Sequence, residues 1–171
     1  MENEITNCSN IKYEYITTNV LSKAQQIELA EVMASDDEEE GAFSKYVKWI
    51  EDEFKNIDNS GKLYVFAIYE NKIIGFIRIW NSEYCNKYFN DGIVVKKEFY
   101  NQRIGYNLLL KGIQAAKKLG GKQLYAAINE SNISSIIIHK KCGFNKLGIQ
   151  KINSYGKKVY NKKLYEYKMD L

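Results

Sequence analysis

Two stretches of this chain carry residue types that could do chemistry. The first reads Lys97-Glu98-Phe99-Tyr100-Asn101-Gln102-Arg103-Ile104-Gly105-Tyr106-Asn107-Leu108-Leu109, a polar turn that enters an amphipathic helical pattern with a glycine near the junction. A helix start leaves several backbone N–H groups unpaired and carries partial positive charge, so such a turn can hold a phosphate or pyrophosphate. The second reads Asn132-Ile133-Ser134-Ser135-Ile136-Ile137-Ile138-His139-Lys140-Lys141-Cys142-Gly143-Phe144. Its Asn132, Ser135 and His139 stand at i, i+3 and i+7, one helix face that can line a ligand. Gly143 reads as a left-handed helix stop and Phe144 as the start of a strand.

The flanking pattern says what must position these residues. Ile11–Thr17 alternates and is rich in strand formers, and Ser22 with Gln25 forms a capping box ahead of a helix over Ala24–Ala34. Phe43, Tyr46, Val47, Ile50 and Phe54 recur at helical steps just after the acidic run Asp36–Glu40. Lys62–Tyr69 and Lys72–Trp80, separated by Glu70-Asn71, read as a hairpin. Gly92–Lys96 is a short buried-strand pattern, and Ile104–Lys118 is a helix with Leu108, Leu109, Ile113 and Ala116 inward and a stop at Gly120-Gly121. Leu124–Ile128 is a strand, Asn132–Lys141 a helix, and Phe144–Lys151 with Lys163–Met169 a closing pair. The expected class is α/β (α+β): a mixed, largely antiparallel sheet of about seven strands flanked by about four helices, in one domain over 1–171.

Composition narrows the function classes. The chain has 171 residues, 45% hydrophobic and 27% charged, which suits one globular domain and argues against disorder. No proline occurs, where average usage predicts roughly eight. Arg78 and Arg103 are the only arginines, leaving 23 lysines; this argues against recognition through many forked arginine contacts. The net charge of +4 is dispersed, so no nucleic-acid partner is expected. Apolar runs such as Ile73–Ile79 are too short to span a bilayer. Cys8, Cys85 and Cys142 lack metal-site spacing and fit reduced thiols in the cytoplasm, and the N-terminus has no secretory pattern. No metal is expected.

The two stretches together resemble the GNAT superfamily of acetyl-CoA-dependent N-acetyltransferases. The likeness covers roughly Lys62 to Phe144. The second stretch has the form N-x-x-S-x-x-I-H-x-K-x-G-F, with His139 where the family usually has tyrosine, as in members resembling phosphinothricin acetyltransferases. The family's phosphate loop, Q/R-x-x-G-x-G/A, would occupy Tyr100 to Gly105. Tyr100 replaces Gln or Arg, Arg103 replaces the first Gly, and Gly105 matches.

That resemblance implies a cofactor lying where the Gly92–Lys96 strand splays from the Leu124–Ile128 strand. Pantetheine would bond to Ile93, Val94 and Val95, and the Val95 N–H would face the thioester oxygen. The pyrophosphate would lie on Tyr100, Asn101, Gln102, Arg103, Ile104, Gly105 and Tyr106, with Lys96 and Lys97 as nearby cations. Asn132, Ser135, His139 and Lys141 would complete the cofactor site. Arg103 suits its place only at negative φ; at positive φ it is strained. Acetylating an amine of pKa ~10.4 requires removal of a proton. Asp91, at i−4 from Val95 and expected on its face, is the first candidate base; Glu83, Glu130 or a water chain are the others. Departure of the thiolate, whose conjugate acid titrates near ~8.5, would draw a proton from His139 (pKa ~6.5) or a tyrosine such as Tyr106.

The implied reaction is direct transfer of acetyl from acetyl-CoA to a primary amine of a small molecule or peptide; the alternative is a non-catalytic acyl-CoA-binding module with an altered phosphate loop. Cys142 has no local base and is not expected to be a nucleophile. The acidic run Asp36–Glu40 either attracts a cationic acceptor or serves the start of the helix after it. Exposed strand edges raise a homodimer as a family-level expectation.

Overall fold

The computed structural model describes residues 12–16, 22–55, 62–82 and 87–171. Seven strands and four helices follow in the order β1 (Lys12–Ile16), α1 (Lys23–Ala34), α2 (Ala42–Lys55), β2 (Lys62–Tyr69), β3 (Lys72–Ser82), β4 (Lys87–Val95), α3 (Ile104–Lys118), β5 (Gln123–Asn129), α4 (Ile133–Lys141), β6 (Asn145–Ile149) and β7 (Leu164–Asp170). A single sheet has the order β1-β2-β3-β4-β5-β7-β6. Every pairing is antiparallel except β4 with β5. Parallel neighbours need a crossover, and α3 supplies it.

Local chemistry accounts for the element ends. Both halves of the Ser22/Gln25 capping box form at α1. Glu70 and Asn71 adopt φ of 49° and 62°, the left-handed pair that a two-residue hairpin requires. Asn132 is the N-cap of α4 rather than its first residue, its side chain accepting from the Ser135 N–H, and Gly143 at φ 94° stops that helix.

Apolar side chains collect on both sheet faces. Under α3, Leu108, Leu109, Ile113 and Ala116 pack on Leu63, Val65, Ile77 and Ile79. Under α1 and α2, Leu29, Val32, Ile50 and Phe54 pack on Tyr64, Phe66 and Phe76. Burying each such side chain is worth about 1.5–3 kcal/mol, so both layers hold the central strands. A Cβ on Gly112 would lie 2.7 Å from Ile77 Cδ1; its absence lets α3 settle onto β3.

The largest departure from the sequence pattern is β4, which begins at Lys87 instead of Gly92. Asn90 and Asp91 interrupt its apolar run, and the reason is a bulge. Ile77 faces Ile93 and Ile79 faces Asn90, so Arg78 alone opposes Asp91 and Gly92. Gly92 takes φ 139°, and a bulge with glycine re-aims the side chains that follow it.

Candidate functional site

The site opens where β4 and β5 part. Their pairing runs from Tyr88↔Leu124 to Asn90↔Ala126 and stops, while β4 stays bonded to β3 as far as Val95. The Lys96 N–H donates to the Ile74 carbonyl at 2.8 Å. Residues of an antiparallel strand point their N–H and C=O groups alternately to either side, so Val94 also faces β3, and Ile93 and Val95 turn theirs into the opening. Ile93 and Val95 thus present backbone groups where a pantetheine chain was expected, whereas Val94, expected with them, has its backbone groups turned to β3.

The opening leads to the start of α3. Asn101 and Arg103 have φ of 63° and 61°, and Arg103 is the helix N-cap, with no side-chain bond to the helix. The first intrahelical donor is Asn107, bonding to the Arg103 carbonyl. The N–H groups of Ile104, Gly105 and Tyr106 therefore have no intrahelical acceptor. Left-handed residues beside a helix start make a concave nest of N–H groups that suits an anion. A Cβ on Gly105 would meet Ile93 Cγ2 at 3.8 Å and nothing nearer than ordinary contact, so packing inside the protein does not demand glycine. Arg103 answers the condition set by its sequence position. It sits at positive φ, and a residue with a Cβ is strained there.

The turn is fastened to α1 and to the acidic run that follows it. Tyr100 Oη donates to Asp36 Oδ2 at 2.8 Å, Lys97 Nζ lies 3.7 Å from the same carboxylate, and Lys96 Nζ lies 3.4 Å from Glu31 Oε2. Burial first, then Asp36, pushes the Tyr100 hydroxyl up to about 12. Asp37 accepts from Tyr46 Oη and the Glu39 N–H, and Glu39 pairs with Lys45. The acidic run thus divides between holding the turn and organising the start of α2.

Asp91 does not share the Val95 face. Val95 and Ile93 pack on the α3 side, whereas Asp91 meets Arg78, which lies 4.9 Å from the Trp49 ring of α2; the bulge at Gly92 shifts the alternation between them. Arg78 Nη2 donates to Asp91 Oδ2 at 2.9 Å and Nη1 to Glu53 Oε1 at 3.4 Å. Lys62 and Tyr64 also reach Glu53, at 2.6 and 3.1 Å. Burial raises the Asp91 pKa, opposed by Arg78 and Lys62. The result is a partly accessible carboxylate more basic than a free one, at the end of a buried charge network.

Along the same face of β4, two residues before Asp91, Phe89 floors a cavity of about 810 Å³. Lys87, Ile149, Ile152 and Glu166 are among its walls. The β6–β7 connection closes this side, with Tyr155 packed against Trp80 at 4.5 Å between centroids, the rings tilted, and Ser82 Oγ donating to the Ser154 carbonyl.

His139 departs most from the expected proton donor. It is 2% exposed, with Nε2 2.8 Å from Asn90 Nδ2 and Nδ1 2.7 Å from the Ser135 carbonyl. Both ring nitrogens are committed, and burial lowers the pKa, which disfavours the imidazolium a donor would need. Of its expected partners, Ser135 adjoins it, Asn132 caps the helix, and Lys141 is exposed at the far end. Glu130 follows β5 and Glu83 lies outside the described residues. Asn90 and Arg78 escaped the sequence reading, although a polar pair before a glycine inside a strand is a bulge signal.

A sequence model of the acetyltransferase (GNAT) family matches residues 27–144. The chain belongs to this family. As a GNAT acetyltransferase it shares its fold with PH1933 from Pyrococcus horikoshii OT3, at 20% identity and TM-score 0.70 over 94% of this chain and 99% of that one. It also shares it with the PaiA N-acetyltransferase from Thermoplasma acidophilum, solved in complex with coenzyme A, at 18% identity and TM-score 0.64 over 94% and 99%. A third similar structure is yncA from Salmonella typhimurium with its cofactor acetyl-CoA, at 16% identity and TM-score 0.67 over 95% of each chain. Among the described residues no helix is long and apolar enough to cross a membrane.

Proposed function

We propose that this GNAT chain transfers acetyl from acetyl-CoA to the nitrogen of a primary amine by direct attack. The supporting observation is the alignment of two backbone donor sets, Ile93 and Val95 at the open edge of β4 and Ile104 to Tyr106 at the start of α3. The first suits a pantetheine chain and the second a pyrophosphate. The Val95 N–H is then a fixed dipole at the thioester oxygen, where negative charge develops as nitrogen bonds to the carbonyl carbon and the carbon–sulfur bond breaks.

Asp91 is the proposed base, receiving the amine proton directly or through water from the sheet face opposite Val95. The thiolate, with conjugate acid near ~8.5, takes its proton from solvent or from Tyr106 in the first turn of α3. The cavity beyond Phe89 would take the rest of the acceptor, which favours an amine carried on a partly apolar body.

The test is an amine panel with acetyl-CoA and detection of free thiol. Release of thiol is expected, with Asp91→Asn lowering kcat/KM about 10²-fold. Full activity of that variant removes Asp91 as the base. The strained Arg103 and the buried His139 favour the second reading, an acyl-CoA-binding module, and binding of acetyl-CoA with no release of its thiol in the presence of any amine of the panel would establish it.

A further inference from the structure

The buried polar contacts around His139 form one continuous chain. The Gly92 N–H donates to Asn90 Oδ1 at 3.3 Å, Asn90 Nδ2 lies 2.8 Å from His139 Nε2, and His139 Nδ1 lies 2.7 Å from the Ser135 carbonyl. A backbone N–H only donates and a carbonyl only accepts, so both ends are fixed. The interior follows: Asn90 accepts at oxygen and donates at nitrogen, Nε2 accepts, and Nδ1 carries the proton. Adding a proton at Nε2 would set it against the Asn90 amide N–H groups, and flipping that amide would set N–H groups against the Gly92 N–H. Either breaks a bond in a buried place, with Asn90 8% and His139 2% exposed. Phe144 covers the ring edge-on at 4.9 Å between centroids. Asn90, Ser135 and Phe144, which contact the imidazole, are all uncharged.

The ends of this chain fall at informative places. Asn90 is the last residue of β4 paired with β5, and Gly92 is the bulge after which Ile93 and Val95 turn their backbone into the opening. We infer that His139 and Asn90 form a neutral strut from α4 to the β4 bulge, which aims the backbone donors of Ile93 and Val95; His139 is a positioning residue, acting through Asn90, and Asn90 is its partner in that task. The inference rests on the reading that acetyl-CoA occupies the β4–β5 opening. It accounts for a histidine that is deeply buried beside the reacting region while having both nitrogens bonded within the protein.

His139 is the only histidine in the chain, so its imidazole nitrogen signals are unambiguous in a ¹⁵N spectrum. The expected result is a neutral ring at pH 8 with the proton on Nδ1 and a midpoint below the ordinary ~6.5; a proton on Nε2, or a midpoint at or above that value, overturns the strut. In kinetics, His139→Phe keeps volume without an acceptor and should raise the KM for acetyl-CoA at least 10-fold without reshaping the pH profile. His139→Gln restores an acceptor for Asn90 without a titrating group and should recover most of that loss. Equal losses in both variants, or a pH limb that vanishes in both, would assign His139 the proton-donor role instead. Hydrogen exchange of the Gly92 amide should quicken in His139→Phe and in Asn90→Leu, and unchanged exchange counts against the strut. Calorimetry with coenzyme A separates the two readings: wild-type protein that binds none fails the acetyl-CoA reading and the aiming role with it, whereas binding with unaltered KM in His139→Phe fails the aiming role alone.

Discussion

The turn before α3 and the helix α4 carry the two motifs of this chain, and they relate to chemistry in opposite ways. The turn departs from the family pattern at Tyr100 and Arg103, yet its backbone makes a left-handed nest leading to unpaired N–H groups. The helix carries the stretch on which the sequence resemblance rested, yet its chemically distinctive side chain, His139, is sealed in the core. Backbone donors tolerate changes of side chain as long as φ and ψ can be reached. A side chain that must protonate a leaving group depends instead on solvent, partners and rotamer.

The comparison breaks first at β4. If the backbone does the chemistry, Val95→Pro removes the N–H that faces the opening while leaving intact the β3-facing bonds of Val94 and Lys96. Losing one donor of this type lowers kcat about 10²–10³-fold. Proline is tolerated where its missing N–H was unpaired in the sheet, so Tm should fall by only a few degrees. Single-turnover acetyl transfer measures the first and calorimetric melting the second. A variant with full kcat would shift the chemistry to side chains.

Much of the fold was legible because it follows from period and caps. The capping box at Ser22, the two-residue turn at Glu70-Asn71 and the stop at Gly143 each express a local rule, and the structure follows all three. Of the proposed site, the part legible in the sequence is the part whose donors are backbone groups. The free edge at Ile93 and Val95 follows from strand alternation once β4 is placed. Asp91 was assigned to the wrong face because alternation fails across a bulge, and Asn90 beside that bulge is bonded to His139 of α4, 49 residues away. The Tyr100–Asp36 bond is equally distant in sequence, at a separation of 64, and no local pattern announces it.

Next in size is the strain at Arg103. A residue with a Cβ in the left-handed region is less stable by about 1–2 kcal/mol, partly offset in a glycine variant by greater freedom of the unfolded chain. Arg103→Gly should therefore raise Tm by about 2–4 °C, the shift that roughly 1 kcal/mol gives a chain of this length. No rise would mean that a ligand-free turn relaxes to negative φ. The matching measurement on α4 is the stability of wild type against His139→Gln across pH. The folded imidazole has a lowered pKa, so below ~6.5 the unfolded chain binds the proton more readily. The stability the neutral ring supplies is fully present above ~6.5 and declines as pH falls toward the lower folded value. The wild-type advantage in Tm at pH 8 should shrink at pH 5.5, and an advantage that grows on acidification would show that the folded site welcomes the proton.

The smallest effect tests whether the turn owes its shape to α1 or to its own dihedral angles. Tyr100→Phe removes the bond to Asp36 and little else, since the ring is 43% exposed and Lys97 still faces the same carboxylate. An exposed bond of this kind contributes about 0.5 kcal/mol, so Tm should fall by no more than about 2 °C. Asn101 tolerates the left-handed region better than most residues, and the α3 start closes the other side of the turn. The nest should therefore keep its form, leaving the affinity for coenzyme A within two-fold of wild type by calorimetry. A ten-fold loss would mean that the bond to Asp36 holds the anion site in shape, and it would make the acidic run after α1 part of cofactor recognition.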